Sequence, residues 1–284
     1  MAESSSVTLL ATGRFYGTVV KSASVSDACL SIVRHERARL VPIHEHECAY
    51  FCVLIAGRYT ENYGSDVIEY HPMTMAFHPP RYRHADEIGK EGSVFFMIEL
   101  GDAWITRLAE MLDLRSVKVE LRGNDLVWLA MNVFREFQDL HSGSEMQIEG
   151  LLYELAAGAA RLPDKGTVDD SWVGSAVDFL EHHATEPLSV KQIAMETGVH
   201  PVTLARGFRV RYHQTVSDFV NRLRVRIACE RIVNDRNATL AGVSTDCGFV
   251  DQSYFTKVFK GITGTTPAAF REMVRGSVPS ESIE

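Results

Sequence analysis

The chain lacks any apolar run long enough to span a bilayer, and its N-terminus lacks the basic-then-apolar pattern of a secretory leader, carrying Glu3 instead. The expectation is a cytoplasmic protein with no membrane partner. Cysteine is sparse: there are five, an odd number, with no C-x-x-C pair. Cys48 and Cys52 lie four apart in a segment of strand texture, roughly 13 Å at about 3.3 Å per residue, beyond disulfide reach. A disulfide framework is excluded, and reduced, buried thiols are expected. Basic charge is also short overall, with 29 Lys and Arg against 37 Asp and Glu, a net charge of −8.

That deficit is uneven. Residues 1–170 hold 16 basic against 25 acidic side chains, whereas residues 200–275 hold 12 basic against 6 acidic. A local excess of this kind is what phosphate contacts need, and distant acidic groups are screened beyond about 8–10 Å. The 284 residues, 45% hydrophobic and 23% charged, suit two soluble globular domains.

Toward the C-terminus a short pattern occurs twice, about fifty residues apart. The first copy runs from Ile193 through Gly198 and Pro201 to Arg209, the second from Val243 through Gly248 and Asp251 to Lys260. Each reads as a short helix, a sharp turn at glycine, and a second helix. Pro201 suits the first helical position of one second helix and Asp251 the N-cap of the other. Leu204 and Phe208, like Phe255 and Phe259, are four apart and should face a core. The outward face then holds Val202, Thr203 and Arg206 in the first copy, and Gln252, Ser253, Thr256 and Lys257 in the second. Val216 to Val233 reads as one long helix between the copies, and Thr266-Pro267 as the start of another.

Leu188 through Glu272 resembles the DNA-binding domain of AraC/XylS-type bacterial transcription regulators. The motif that carries the resemblance is Cys247-Gly248-Phe249, Asp251 to Phe255, Phe259-Lys260, and Gly264 to Pro267 followed by Phe270-Arg271. The resemblance implies seven helices and two recognition helices in successive major grooves of double-stranded DNA, about 34 Å apart. Carried over by position, Val202, Thr203, Arg206, Gln252, Ser253, Thr256 and Lys257 are expected to read bases. Arg209 and Lys260 are expected to contact phosphates. Three departures stand out: Gly207 in the first recognition helix, Gly242 in the second unit, and His213 where the family has glycine. Gly207 is expected to cost packing and about 1 kcal/mol of helix propensity.

From Ile32 to Leu100 short apolar runs are broken by Gly and Pro, with strands expected at Tyr50–Ile55, Val67–Tyr70, Thr74–Phe77 and Ser93–Leu100. Turns are expected at Gly57, Tyr63-Gly64 and Pro79-Pro80. This block resembles the cupin-type sensor domain of the same regulators through His44-Glu45-His46, Gly57, Pro79 and His84, which implies a β-barrel or jelly roll around a small-molecule effector pocket. Its expected lining is His44, His46, Tyr50, Cys52, Phe77, Tyr82 and His84. His44, His46 and His84 are also the candidates for a metal. Tyr50 stands where a cupin metal carboxylate is expected, Arg81 replaces a glycine, and Glu47 falls on the opposite face, with His78 as a substitute. The set is read as a pocket wall, with no cofactor assigned.

Residues 102–161 show helical stripes (Trp104, Leu108 and Leu112; Leu126 to Phe137; Ile148 to Ala159) that either dimerise the protein or pack on the barrel. The expected organisation is α+β with two domains. Residues 1–100 form the cupin-like sensor, 101–161 a helical connecting and dimerisation region, and 162–170 a linker. Residues 171–276 form the double helix-turn-helix domain and 277–284 a tail. The expected function is a sequence-specific regulator, an activator before a repressor, not an enzyme, with RNA polymerase and a second copy as partners. The alternatives are a cupin metalloenzyme or metal sensor tied to DNA, and a ligand-independent architectural DNA binder.

Overall fold

The computed structural model describes residues 7–64, 66–110, 119–121, 126–160, 171–212, 214–235 and 237–275. Leu112 and His213 lie outside them. The chain divides into two compact units, Met1–Arg161 with Arg271–Glu284, and Leu162–Phe270.

The first unit is built on one nine-stranded mixed sheet. Its strands are β1 (Thr8–Leu10), β2 (Thr18–Val25), β3 (Ala28–His35), β4 (Arg39–His46), β5 (Ala49–Tyr63), β6 (Asp66–Tyr70), β7 (Thr74–His78), β8 (His84–Leu100) and β9 (Val119–Leu121). The long strands β5 and β8 pair along most of their length. On the far edge of β8, β4 pairs with its first half and β3 with its second. On the far edge of β5, β7 pairs with the first half and β6 with the second. β1 adds to β4 in parallel, β2 to β3, and β9 to β7.

Gly57 does not turn the chain, as expected from sequence; it bends it. β5 continues through Gly57, with register shifts at Leu54/Ala56 and Gly57/Tyr59. Gly57 has φ +86°, and a Cβ there would lie 2.1 Å from the carbonyl oxygen of Gly92. Gly92, at φ +74°, is equally crowded by the His35 carbonyl oxygen, 2.1 Å from its own would-be Cβ. The two glycines let β5 and β8 bulge side by side, and such paired bulges curl a sheet into a half-barrel. The bulges also reverse strand parity. Tyr50, Cys52 and Leu54 share the concave core with Tyr59, and Ile88 shares it with Phe95 and Met97.

The opposite face of the sheet is covered by helices. α1 (Asp102–Ala109) is tied down by Trp104, whose Nε1 donates to the Ser26 carbonyl at 2.7 Å. α2 (Leu126–Gln138) packs Phe134 and Phe137 on Phe96, with ring centroids 5.1 and 5.7 Å apart. α3 (Ser144–Ala160) pairs with α2. The described stripe residues of the connecting region, among them Trp104 and Leu108 on α1, Phe134 and Phe137 on α2 and Ile148 and Leu155 on α3, are buried within this unit. That region also contributes β9, a strand where helices alone were expected.

The second unit is helical: α4 (Ser171–His183), α5 (Val190–Glu196), α6 (Pro201–Tyr212), α7 (Val216–Asn234), α8 (Leu240–Asp246), α9 (Gln252–Thr263), and α10 (Pro267–Arg275), which crosses the boundary between units. Leu204, Phe208, Phe255 and Phe259 are all fully buried, which contributes about 1.5–3 kcal/mol each. No helix of the described residues is long and apolar enough to cross a membrane.

Candidate functional site

Two places carry chemistry. The first is the repeated turn between paired helices. Ser189 caps α5 through a reciprocal pair with Gln192: the Ser189 hydroxyl accepts from the Gln192 amide at 3.2 Å, and the Gln192 side chain accepts from the Ser189 amide at 3.0 Å. α5 ends at Gly198, φ +68°, with Val199 N–H bonded to Ala194 O at 2.9 Å and Gly198 N–H to Met195 O at 3.2 Å. The second unit repeats the arrangement: Gly248 has φ +78°, Phe249 N–H reaches Ser244 O at 3.0 Å, and Gly248 N–H reaches Thr245 O at 3.0 Å. This is the Schellman closure, formed twice. Pro201 then opens α6, and Asp251 caps α9 by accepting from the Tyr254 amide at 2.7 Å.

On α6, Val202, Thr203, Arg206 and Arg209 are exposed. On α9, Gln252, Ser253, Lys257 and Lys260 are exposed; Thr256 is half-buried, and its hydroxyl donates to the Gln252 carbonyl at 2.8 Å. Exposed Val250, in the turn before α9, escaped the sequence reading because an isolated apolar turn residue has no period.

Not every cation in the basic region is free for phosphate. Arg224 on α7 donates to the carbonyl oxygens of Ala184 and Glu186 at 2.7 and 2.8 Å, and burial lowers its pKa. Arg231 on α7 pairs with Asp246 at the end of α8. Gly207 also has a structural reason. A Cβ there would fall 2.3 Å from the ring tip of Trp172, so the glycine seats an indole and the expected loss of packing is corrected.

The second place is a cavity in the concave face of the sheet. Its empty space is about 490 Å³, of which about 60 Å³ is open to the centre of a water molecule. His44, His46, Tyr50, Cys52 and His84 line it as expected by position. Phe77 does not: it pairs with Phe51 on the other face of the sheet, ring centroids 4.9 Å apart. Tyr82 is outside the lining too, stacked on Tyr63 at 4.5 Å. Sequence reading missed His35, Tyr59 and Asp86 in the lining. Asp86 had a signal, standing two residues after His84 on the same strand and so on the same face.

The three histidines converge because β4 and β8 pair His44 directly with His84, while His46 follows His44 by one strand period. One ligand atom from each lies within 4.8 Å of the other two, and all three side chains are buried. His44 Nδ1 lies 2.9 Å from the Pro42 carbonyl oxygen and His84 Nδ1 lies 3.2 Å from that of Tyr82. A carbonyl only accepts, so both rings carry their proton on Nδ1 and turn Nε2 lone pairs toward the cavity. Burial is the largest influence on each ring: it lowers His44, lowers His84 well below the usual value, and brings His46 to about 3, with neighbouring histidines adding to the shift. All are neutral imidazoles at neutral pH. Beside them Glu61 Oε2 lies 2.9 Å from His78 Nε2; burial pushes the Glu61 carboxyl up, but His78, His84 and Tyr82 together hold it down at about 2.

Residues 186–273 match a family model described as a helix-turn-helix domain. The chain is 26% identical over 95 residues to the regulatory protein SoxS of Escherichia coli K12, covering 34% of this chain and 88% of SoxS. It is 24% identical over 143 residues to the HTH-type transcriptional regulator YisR of Bacillus subtilis, covering 50% of this chain and 48% of YisR. The chain therefore spans about half the length of YisR but most of SoxS. Among solved structures, ToxT of Vibrio cholerae aligns over 88% of this chain and 99% of its own, at 14% identity and a TM-score of 0.39.

Proposed function

We propose that the chain is a DNA-binding transcription regulator, that residues 186–273, which match a helix-turn-helix family model, are an AraC-type reading domain, and that α6 and α9 enter successive major grooves on one face of the DNA. Val202, Thr203 and Arg206 read bases from α6, and Gln252, Ser253, Thr256 and Lys257 read them from α9. Arg206 and Lys257 suit the acceptors of guanine, Gln252 suits adenine, and the Val202 methyls suit the methyl of thymine. Arg209 and Lys260, one turn on, hold phosphates. The observation that carries this reading is the duplicated Schellman turn, each followed by a helix that buries two apolar residues and exposes a polar, basic face.

Residues 1–100 act as the sensor, 101–161 as the connecting and dimerisation region, and 171–276 as the reading domain. A small-molecule effector in the half-barrel cavity shifts the protein between arrangements of different DNA affinity, by linkage and not by catalysis. The protein works in the cytoplasm as a homodimer that activates transcription with RNA polymerase. Selection from a random DNA pool with the full-length protein at fixed salt tests the core of this. Two unlike blocks one helical turn apart are expected. One enriched block alone, or none with or without a metabolite panel, refutes double reading.

A further inference from the structure

The turns that lead into α6 and α9 are alike except for one residue. In the first, His200 takes the capping place directly after Gly198-Val199: its carbonyl accepts from the Leu204 amide at 3.0 Å, and Pro201 opens α6. In the second, Phe249 follows Gly248 as Val199 follows Gly198, but the capping residue is Asp251, so Val250 is inserted between them. Val250 is 91% exposed, more than any other exposed large apolar side chain among the described residues. An apolar residue just before an N-cap ordinarily packs on the fourth residue of the helix. Here that residue, Phe255, is fully buried and takes Phe249 instead, with ring centroids 5.1 Å apart, so the fold makes no use of the Val250 side chain. The chain on either side is fixed. Phe249 is buried, the Asp251 carboxylate accepts from the Tyr254 amide at 2.7 Å, and the Tyr254 hydroxyl lies 3.3 Å from Asn221 of α7. A β-branched side chain has little rotamer freedom. The valine is therefore presented rigidly at the entrance to α9, two residues ahead of Gln252.

We propose that Val250 is a base-reading residue of the second unit and that it selects thymine by the C5 methyl group. The inference rests on the reading of α9 proposed above and adds to it a contact outside the helix. The N-terminal end of a reading helix is the end that meets base edges, and Val250 stands at that end. Phosphate does not suit it: the isopropyl group offers no donor, and the carboxylate of the adjoining Asp251 would face the phosphate as a like charge. Of the groups that distinguish bases in the major groove, the thymine methyl alone is apolar; the rest are donors or acceptors. A valine set against it removes apolar surface of both partners from water. Single exposed apolar residues are ordinary on a protein surface. Val250 differs in being an inserted residue, held on both sides, where a reading helix meets bases. Gln252 suits adenine, so the thymine should lie in the base pair that Gln252 reads or the next one. The first unit has no inserted residue, so this contact belongs to the α9 block alone.

Deoxyuridine in place of thymine removes the methyl and keeps the base pairing, and so isolates this contact. Full-length protein is titrated at fixed salt against the DNA site selected from the random pool, with each thymidine of the α9 block replaced in turn, on either strand. One position should lose about three- to tenfold in affinity, the range for one or two buried methyl-sized groups. Val250→Ala should lose a similar factor on the thymine site and become indifferent to deoxyuridine at that position. It should unfold at the wild-type temperature, because the side chain is exposed in the fold. A Val250→Ala protein that keeps the wild-type response to deoxyuridine at every position, or that weakens on all sequences alike, overturns the proposal. Gln252→Ala and Lys257→Ala, measured beside it, separate the two layers. If they lose site affinity and Val250→Ala does not, α9 reads DNA without the valine and only this contact is refuted. If none of the three loses affinity, the reading of α9 itself falls, and the contact falls with it.

Discussion

The two turn glycines, Gly198 and Gly248, occupy the same place in their units and have nearly the same backbone angle, φ +68° and +78°, yet alanine should affect them very differently. A Cβ in the left-handed region costs about 1–2 kcal/mol by itself. At Gly198 a Cβ meets nothing within 4 Å, so that conformational term is the whole penalty. At Gly248 it would lie 2.3 Å from the Thr185 carbonyl oxygen and 2.8 Å from its carbon, which are backbone atoms that cannot rotate away. Forcing that contact open adds about 1–3 kcal/mol of overpacking. Gly248→Ala should therefore destabilise by about 2–5 kcal/mol and Gly198→Ala by about 1–2. The gain from a stiffer unfolded chain is common to both and cancels in the comparison. Native-state hydrogen exchange of amides in α5 to α9 reads the opening free energy of this unit without demanding two-state unfolding of the whole chain. Gly198→Asn, which tolerates the left-handed region, should recover most of the loss. Equal penalties at the two glycines, or a larger one at Gly198, would refute the reasoning.

Arg206→Ala and Lys257→Ala should each cost about 1–3 kcal/mol at the selected DNA site and relax preference at one position, whereas Arg209→Ala should weaken all sequences alike and flatten the salt dependence; unchanged site affinity in both of the first two removes the assignment of α6 and α9. Gly207→Ala gains about 1 kcal/mol of helix propensity but collides with Trp172, so it should lower stability; in a Trp172→Ala background the same change should become neutral or stabilising, and a stabilising effect in the wild-type background would show that the indole moves freely. His35 is held at about 4, first by burial and then by Arg39, so it is neutral in the fold while the unfolded chain takes up its proton near the ordinary value of 6.5. Its contribution is complete above that value and is lost as pH falls from about 6.5 toward 4, at less than about 1.4 kcal/mol per pH unit because the ring is partly solvent-screened. The urea midpoint should drop more steeply over that range in wild type than in His35→Gln, and parallel profiles would exclude the effect.

The helical unit was legible in the sequence because its signals are local. Glycine at a left-handed turn, proline at a first helical position, an aspartate cap and apolar residues four apart each act within one or two turns, and Gly198, Pro201, Asp251 and the Leu204/Phe208 and Phe255/Phe259 pairs sit as that logic requires. The half-barrel was legible only in pieces. Strand parity assigned His44 and His46 to one face, but it needs a partner strand to place any other residue. Gly57 looked like a turn because glycine at positive φ serves turns and bulges equally; the crowding by Gly92 that makes it a bulge is a contact between distant segments. Phe77 was put in the pocket on aromatic character, while its register opposite Phe51 sends it to the other face. Gly207 failed for the same reason, since the Trp172 ring that explains it lies 35 residues away in sequence.

The division of labour on α7 has a consequence for how any signal can act. Toward the first reading unit α7 presents Phe219, which packs on both Phe208 and Tyr212 with ring centroids 5.2 Å away in each case. Toward the second, its Asn221 donates to the Tyr254 hydroxyl at 3.3 Å, Arg224 lies over Phe249, and Arg231 pairs with Asp246. The same Arg224 also holds the Ala184 and Glu186 carbonyls just beyond α4. One helix, itself closed by a Thr215–Asp218 capping box, thus grips both reading units by side chains spread over its length. Changing the spacing of α6 and α9 would break aromatic packing and charged hydrogen bonds together, a cost of several kcal/mol on ordinary magnitudes. Typical couplings between an effector and a second site are only about 1–3 kcal/mol. If α6 and α9 read DNA under an effector as proposed, a signal of that size is too small to re-space them, so regulation would act on the unit as a whole and leave the distance between the two helices fixed.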